Sequence, residues 1–444
     1  MSFPRYAKYK STGVDWLSNV PFHWTLPKLK HFASFKGGGT PSRDNLAYWG
    51  GSIPWVSPKD MKVEVLTEAE ESITEAGLEN SSSGRVPAGR VLLVVRSGIL
   101  KHTIPVAINV VEVALNQDMK ALEFDTERCA PAFFLRWVQG LNASLLLAWA
   151  KQGATVESLE HCYLQETVVP LPPLHDQLTI VDFLDRETAK IDALIEEQKR
   201  LIELLREKRQ AVISQAVTKG LDPNVPMKDS GVEWLGEVPA HWEVKAIKRL
   251  SPVLRGASPR PIDDPKYFDD DGEYAWVRIA DASASDGVLK ETTQRLSTFG
   301  SALSVKLQPG SLFVSIAGTV GKPCIAGIKC CIHDGFVYFP RLRIDPMFLF
   351  RLFESGACYA GLGKMGTQLN LNTDTIGSIR VGLPPPEELS AIIVFIDSET
   401  KRFDQFIAEA NSAMLLLIER RSAIISAAVT GKIKVPDTTK EEHP

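Results

Sequence analysis

Two sets of polar residues, placed in glycine-hinged loops beside aromatics, are the part of this sequence best suited to chemistry. The first is Lys36, Arg43, Lys59, Arg96, Lys101, His102, Asn116, Gln117, Lys151 and Gln152. The second is Arg255, Arg260, Arg278, Lys322, His333, Lys364, Gln368, Asn370 and Asn372. Arginine and lysine can donate to guanine edges, and asparagine and glutamine can pair bidentately with adenine. The same cations can hold phosphates without reading any sequence. The chemistry on offer is hydrogen bonding to a nucleic acid, although each position taken singly also fits a solvated loop.

Bond-making chemistry has no comparable signature. "GTVGK" (Gly318 to Lys322) lacks the spacing of a phosphate loop and is not followed by Ser or Thr, so it reads as a hairpin turn. The "LPPL" at Leu171 and "LPPP" at Leu383 lack the Asn or Asp and the aromatic that an amino-methyltransferase uses on a flipped base. No catalytic constellation is expected. The six cysteines show no CxxC spacing, which argues against zinc and for free, mostly buried thiols. The opening "MSFPRYAKYK" leads into no apolar signal core, and no run approaches the ~20 residues of a membrane span. A cytoplasmic chain without membrane contact is the expectation. The net charge of -4 means that any nucleic-acid surface must concentrate its positive charge locally or borrow it from partners.

These loops belong to a duplicated framework. "GVDWLSNVPFHW" starts at Gly13 and "GVEWLGEVPAHW" at Gly231. A longer phrase beginning at Leu171 returns at Leu383, so Phe183 matches Phe395, Asp185 matches Asp397, Asp192 matches Asp404 and Arg209 matches Arg421, always 212 apart. The phrase carries an apolar stripe at three-, four- and seven-residue spacings: Leu184, Ile191, Leu194, Ile195, Ile202, Leu205 and Val212. Its second copy has Ile396, Phe403, Phe406, Ile407, Met414, Leu417 and Ile424. Each copy predicts one long helix; from Leu178 to Val217 the first would be roughly 60 Å long at ~1.5 Å per residue. Prolines precede both helices, and Gly220 and Gly431 stand where C-terminal caps belong. One stripe needs a partner, and the other copy supplies it. Chain order then requires the two helices to run antiparallel, with pseudo-two-fold symmetry.

Between the helices, β-branched runs and glycine turns predict α+β units with curved sheets, with short helices near Pro131 to Ala150 and Pro346 to Tyr359. The expected organisation is a globular unit 1–172, a long helix 173–222, a globular unit 223–384, a long helix 385–435 and a tail 436–444.

The whole chain, over about residues 10–435, resembles the specificity subunit of type I restriction–modification systems. The resemblance rests on the unit–helix–unit–helix alternation and on "PPLHDQLTIVDFLDRETAKIDALI" and "RSAIISAAVTGKI". The segments "GGTPSRDNLAYWGGSIPWVSPKDM", "VRSGILKHTIPVAIN", "ASPRPI" and "IHDGFVYF" add to it. One departure is "PPPEELSAI" at the second helix, where the first copy has an Asp-Gln pair. The resemblance implies two target recognition domains, each reading half of a split, asymmetric sequence in double-stranded DNA, with the helices as a spacer. It further implies docking of two N6-adenine methyltransferase subunits and of motor-nuclease restriction subunits. S-adenosylmethionine, ATP and magnesium would belong to those partners, and no cofactor to this chain. Half-sites about one helical turn apart, ~34 Å, lie within the helices' reach. The alternative reading is a coiled-coil scaffold that reads no DNA.

Overall fold

A computed structural model describes residues 3–14, 16–151, 156–360, 362 and 371–436. The chain divides into two compact units, Met1–Gln198 with Ser412–Pro444 and Lys199–Asn411. Each of the two long helices contributes one half to each unit.

Beside a two-stranded pair, Tyr9–Val14 with Leu17–Pro21, the first unit has two larger sheets. Their strands are β1 (Ala33–Gly37), β2 (Trp49–Val56), β3 (Val65–Leu66), β4 (Glu71–Ile73), β5 (Val91–Val94), β6 (Val106–Asn109), β7 (Ala114–Leu115) and β8 (Met119–Phe124). A five-stranded sheet has the order β1-β8-β5-β6-β3, and a three-stranded sheet the order β4-β2-β7. All four residues of β5, "VLLV", are buried, the pattern of a strand covered on both faces. Its cover is α1 (Pro131–Gly140), started by a proline at its first turn. Phe133, Phe134, Trp137 and Val138 of this helix enter the same core as Val91 to Val94.

The second unit repeats this plan. Its strands are β9 (Leu254–Arg255), β10 (Tyr274–Val277), β11 (Val288–Leu289), β12 (Gln294–Leu296), β13 (Val305–Leu307), β14 (Leu312–Ser315), β15 (Pro323–Ala326), β16 (Cys330–Ile332) and β17 (Phe336–Tyr338). The five-stranded order β9-β17-β14-β15-β11 reproduces that of the first unit, beside a four-stranded sheet β12-β10-β16-β13. "GTVGK" lies in the turn joining the antiparallel pair β14 and β15. The covering helix, α3 (Pro346–Ser355), starts on an Asp345 cap that accepts from Met347 N at 2.8 Å and stops at Gly356 with φ 69°. One glycine pair shows why the loops need that residue. A Cβ on Gly38 would lie 2.2 Å from the carbonyl oxygens of Leu115 and Asn116, and one on Gly256 would lie 2.1 Å from that of His333.

The long helices are α2 (inserted in the chain between β8 and β9, Leu174–Lys219) and α4 (Pro386–Val429), both inside the expected segments 173–222 and 385–435, the first a little longer than Leu178–Val217. Each ends at a left-handed glycine, Gly220 with φ 75° and Gly431 with φ 67°. In the first unit the start of α2 lies by the end of α4: His23 bonds Asp176 at 3.1 Å, and a Cβ on Gly431 would meet Trp24 at 3.2 Å. Further along, Arg421 Nε donates to Asp192 Oδ1 at 2.8 Å. The two segments in this unit therefore run antiparallel. The second unit has the mirror arrangement, with His241 on Glu388 at 2.7 Å, Gly220 against Trp242, and Arg209 Nε on Asp404 Oδ1 at 2.9 Å. The twice-written "VPxHW" phrase is thus a clasp: its histidine holds the first turn of one helix, and its tryptophan packs against the glycine that ends the other.

Leu184, Ile191, Ile195, Ile202, Ile396 and Ile424 are buried. Leu205, Val212, Phe403, Ile407, Met414 and Leu417 are half-buried. Leu194 and Phe406, equivalent positions of the two copies, fall outside the seam, 45% and 39% exposed. Each residue advances a helix by about 100°, so Leu194 cannot share a line with its neighbour Ile195. The Asp-Gln departure also has a structural basis. Gln177 is buried and bonded to backbone, whereas its counterpart Leu389 is buried in the apolar core.

The helix-to-helix ion pairs are half-exposed, with side chains 26% and 48% accessible for Arg421–Asp192 and 21% and 58% for Arg209–Asp404. Arg421→Ala or Arg209→Ala is expected to cost about 1 kcal/mol of stability, since solvent screens such pairs. Urea unfolding in a double-mutant cycle with the matching aspartate reads the coupling, which should shrink at high salt.

Candidate nucleic-acid interface

Of the candidate residues, Arg43 lies by the smaller sheet of the first unit, and Arg278 and His333 at strand ends of that of the second. Lys36 and Arg255 stand on the five-stranded sheets and Lys322 in the β14–β15 turn. In the first unit, Trp55 on β2 stands opposite Glu71 on β4 and beside Ala114 on β7. Trp55 Nε1 donates to Gly39 O at 3.0 Å, which ties the glycine loop down onto the sheet. Arg43 follows that loop. Its guanidinium lies 3.9 Å from the Trp49 ring centroid and 5.1 Å from that of Trp55. Both terminal nitrogens donate to Glu71, the Nη2–Oε2 bond at 2.8 Å. This bond holds the Glu71 carboxyl below its usual range and raises Arg43 in turn.

Elsewhere in the unit, Lys36 Nζ donates to Arg85 O at 2.6 Å and Arg96 Nε to Asp118 Oδ1 at 2.5 Å. Gln117 accepts from Thr40, and Lys151 Nζ stands 3.6 Å from Glu160. Lys59, Lys101 and His102 are exposed. Asn116 is spent on the fold: it is buried, accepts from Asp118 N at 2.9 Å and donates to the Asp118 carboxylate at 3.2 Å. Gln152 lies outside the described residues, as do Lys364, Gln368 and Asn370.

In the second unit, Trp276 on β10 stands opposite Gln294 on β12 and beside Cys331 on β16. The two tryptophans therefore occupy one framework position. A second match follows them: Ser57 N donates to Asp60 and Arg278 N to Asp281, both at 2.8 Å. Arg278 Nη2 donates to Gln294 Oε1. Asp334 gathers the glycine loop, accepting from Ser258 Oγ at 3.0 Å, from Arg260 Nη2 at 3.0 Å and, through its carbonyl, from Arg255 Nε. His333 Nδ1 accepts from Gly335 N at 2.8 Å, which requires that nitrogen unprotonated, and burial pushes the imidazole below its usual pKa, toward the neutral form. A cavity of about 720 Å³ opens here, lined among others by Phe268, Trp276, Arg260, Arg278, Gln294 and His333.

Two candidates of this unit serve the scaffold. Lys322 Nζ donates to the carbonyls of Ser283 at 2.5 Å and Ser285 at 3.2 Å. Asn372 caps a short helix, accepting from Thr375 N at 2.8 Å. Sequence reasoning missed Trp49, Trp55, Trp276, Glu71, Gln294 and Asp334. The parallel phrases "IPWVSPKD" and "YAWVRIAD", each a Trp-Val followed by an Asp, were the available signal. Among the described residues no group of three or more His, Cys, Asp and Glu could hold a metal ion. No described helix is long and apolar enough to cross a membrane. Five of the six free cysteines are buried and Cys162 is exposed.

Residues 21–204 match the type I restriction modification DNA specificity domain. The chain is 35% identical over 177 residues to the EcoR124I/EcoR124II specificity subunit of Escherichia coli, an alignment covering 40% of this chain and 44% of that one. It is 25% identical over 279 residues to the MjaIX specificity subunit of Methanocaldococcus jannaschii, covering 61% and 60%. Residues 21–204 thus carry the match to a specificity domain, the chain is similar to type I restriction–modification specificity subunits, and it spans less than two thirds of the length of these two relatives. A solved chain from work on complex assembly and conformational transition of the type I R-M system shares the fold, with TM-score 0.66, 18% identity and coverage of 93% and 99%. The shared fold is one of two sheet-rich units with the long helix α2 between them in the chain.

Proposed function

We propose that the chain is a type I restriction–modification specificity subunit that reads a split DNA target, one half with each unit, and catalyses nothing itself. The observation that carries the reading is the duplicated small sheet, where the same tryptophan position bears a cationic glycine loop in both units. The loops differ, with Arg43 and Glu71 in one and Arg260, Arg278 and Gln294 in the other, so the half-sites differ and the target is asymmetric. Antiparallel helix segments in each unit suit the opposed strands of a duplex.

The helices set the half-site spacing and dock two N6-adenine methyltransferase subunits, with motor-nuclease subunits completing the cytoplasmic complex. Exposed apolar residues at equivalent helix positions, Leu194 and Phe406, Leu204 and Leu416, support such docking. S-adenosylmethionine, ATP and magnesium would be held by those partners, and partner surfaces would supply much of the phosphate contact that a chain of charge -4 lacks.

Methylation sequencing of a host expressing the chain with its methyltransferase tests this. Exchanging residues 25–170 for another recognition segment is expected to change one half of the modified motif. A motif changed in both halves, or in neither, would overturn the modular reading.

A further inference from the structure

The two units differ at one point that their framework makes equivalent. Positions 71 and 294 both face the central tryptophan across the small sheet. In the first unit the residue is Glu71, and a planar guanidinium lies over Trp49 with both terminal nitrogens on that carboxylate. In the second the residue is the neutral Gln294, at the edge of the 720 Å³ cavity whose apolar wall includes Ile262, Phe268 and Trp276. Gln294 Oε1 is occupied by Arg278 Nη2, which leaves its Nε2 as a donor beside the remaining N–H groups of Arg278. The cavity therefore offers adjacent donors next to an apolar wall.

Resting on the DNA-reading role proposed above, we infer that this cavity is a nucleobase subsite for the acceptor edge of guanine. Guanine presents O6 and N7 side by side, which two neighbouring donors match; adenine presents a donor and an acceptor. A phosphate suits the site less well, because Asp263 and Asp334 also line it. The ring would lie along Phe268 and Ile262. The first unit is less suited to such a ligand, because at the equivalent position the Glu71 carboxylate, bonded to Arg43, would face the acceptor edge.

The probes are 5′-GMP and 5′-AMP, titrated against the full-length chain by calorimetry and saturation-transfer NMR. Saturable GMP binding is expected, with AMP about tenfold weaker or worse, the scale of one bidentate contact. Gln294→Glu removes a donor and draws Arg278 into an ion pair, so it should weaken GMP about tenfold; Arg278→Ala should do likewise, with unchanged circular dichroism for both. Competition between GMP and the duplex bearing the methylated motif, in the assembled complex, identifies a DNA guanine as the ligand; binding without competition identifies a free guanine nucleotide. Absence of saturable GMP binding, equal affinity for AMP, or GMP binding untouched by both substitutions overturns the inference. Any of these would leave the segment-exchange result standing, so the two readings fail separately.

Discussion

Trp242→Ala is expected to destabilise the second unit by ~3–5 kcal/mol, the largest single effect of any side chain considered. The side chain is fully buried, and three parts of the fold are shaped to it. A Cβ on Gly382 would come within 2.8 Å of its ring and one on Gly220 within 3.3 Å, so both glycines leave room for the indole. The third part is Glu388 in the first turn of α4, which accepts from Trp242 Nε1 at 3.1 Å and from His241 with its other oxygen at 2.7 Å. Truncation leaves a cavity where the two helix ends meet the sheet and removes one of the two bonds to the carboxylate. Chemical denaturation followed by fluorescence should show an early transition for this unit alone. Trp24→Ala should act on the first unit by the burial term without the hydrogen-bond term, because Trp24 Nε1 has no partner among the described residues. Equal losses in both variants would show that the indole bond to Glu388 contributes nothing.

Gln177→Leu is expected to cost ~2–4 kcal/mol, even though leucine is what the second copy carries at the equivalent position. Gln177 is fully buried and satisfies three backbone groups: its Oε1 accepts from Ala130 N at 2.8 Å, and its Nε2 donates to Arg128 O at 2.7 Å and Pro172 O at 2.9 Å. Leucine would fill the volume and leave those groups buried without partners, a desolvation cost that packing does not repay. Leu389→Gln is expected to destabilise as well, because it carries an amide into an apolar cluster that includes Ile392 and Ile396. Thermal unfolding of both variants decides the matter; a Gln177→Leu chain as stable as the parent would mean that the three bonds are dispensable.

The contrast between these two positions shows how a duplication diverges without losing its frame. The shared features are those that set chain direction: the clasp histidine and tryptophan, the capping glycines, and the Arg–Asp pairs between α2 and α4. What differs is how each unit satisfies local polarity, with glutamine on backbone in one and leucine in an apolar core in the other. The same rule holds at the small sheets. The tryptophan is kept, while its facing residue changes from Glu71 to Gln294 and the source of the guanidinium shifts from a loop to a strand end.

Much was legible from residues alone because it depends on local periodicity and on self-comparison. The constant separation of 212 between the copies, the apolar stripe, the prolines before each helix and the glycines after it specify two long helices with antiparallel pairing. Apart from the repeat, which self-comparison shows, those signals are carried by residues within a few turns of one another, and helix geometry converts their spacing into a buried face. The assignments that needed tertiary structure are long-range. Arg43 meets Glu71 only because β2 and β4 pair in one register, and a shift of one residue would turn that face away. Asn116 and Lys322, polar and cationic in sequence, are consumed by backbone and neighbouring groups that only the folded chain brings within reach. Leu194 and Phe406 leave the seam because the rotation of the helix admits one of two adjacent apolar residues. Sequence determined the repeat, the rods and their ends; the fold decided which side chains face a ligand, because that choice depends on contacts between residues far apart in the chain.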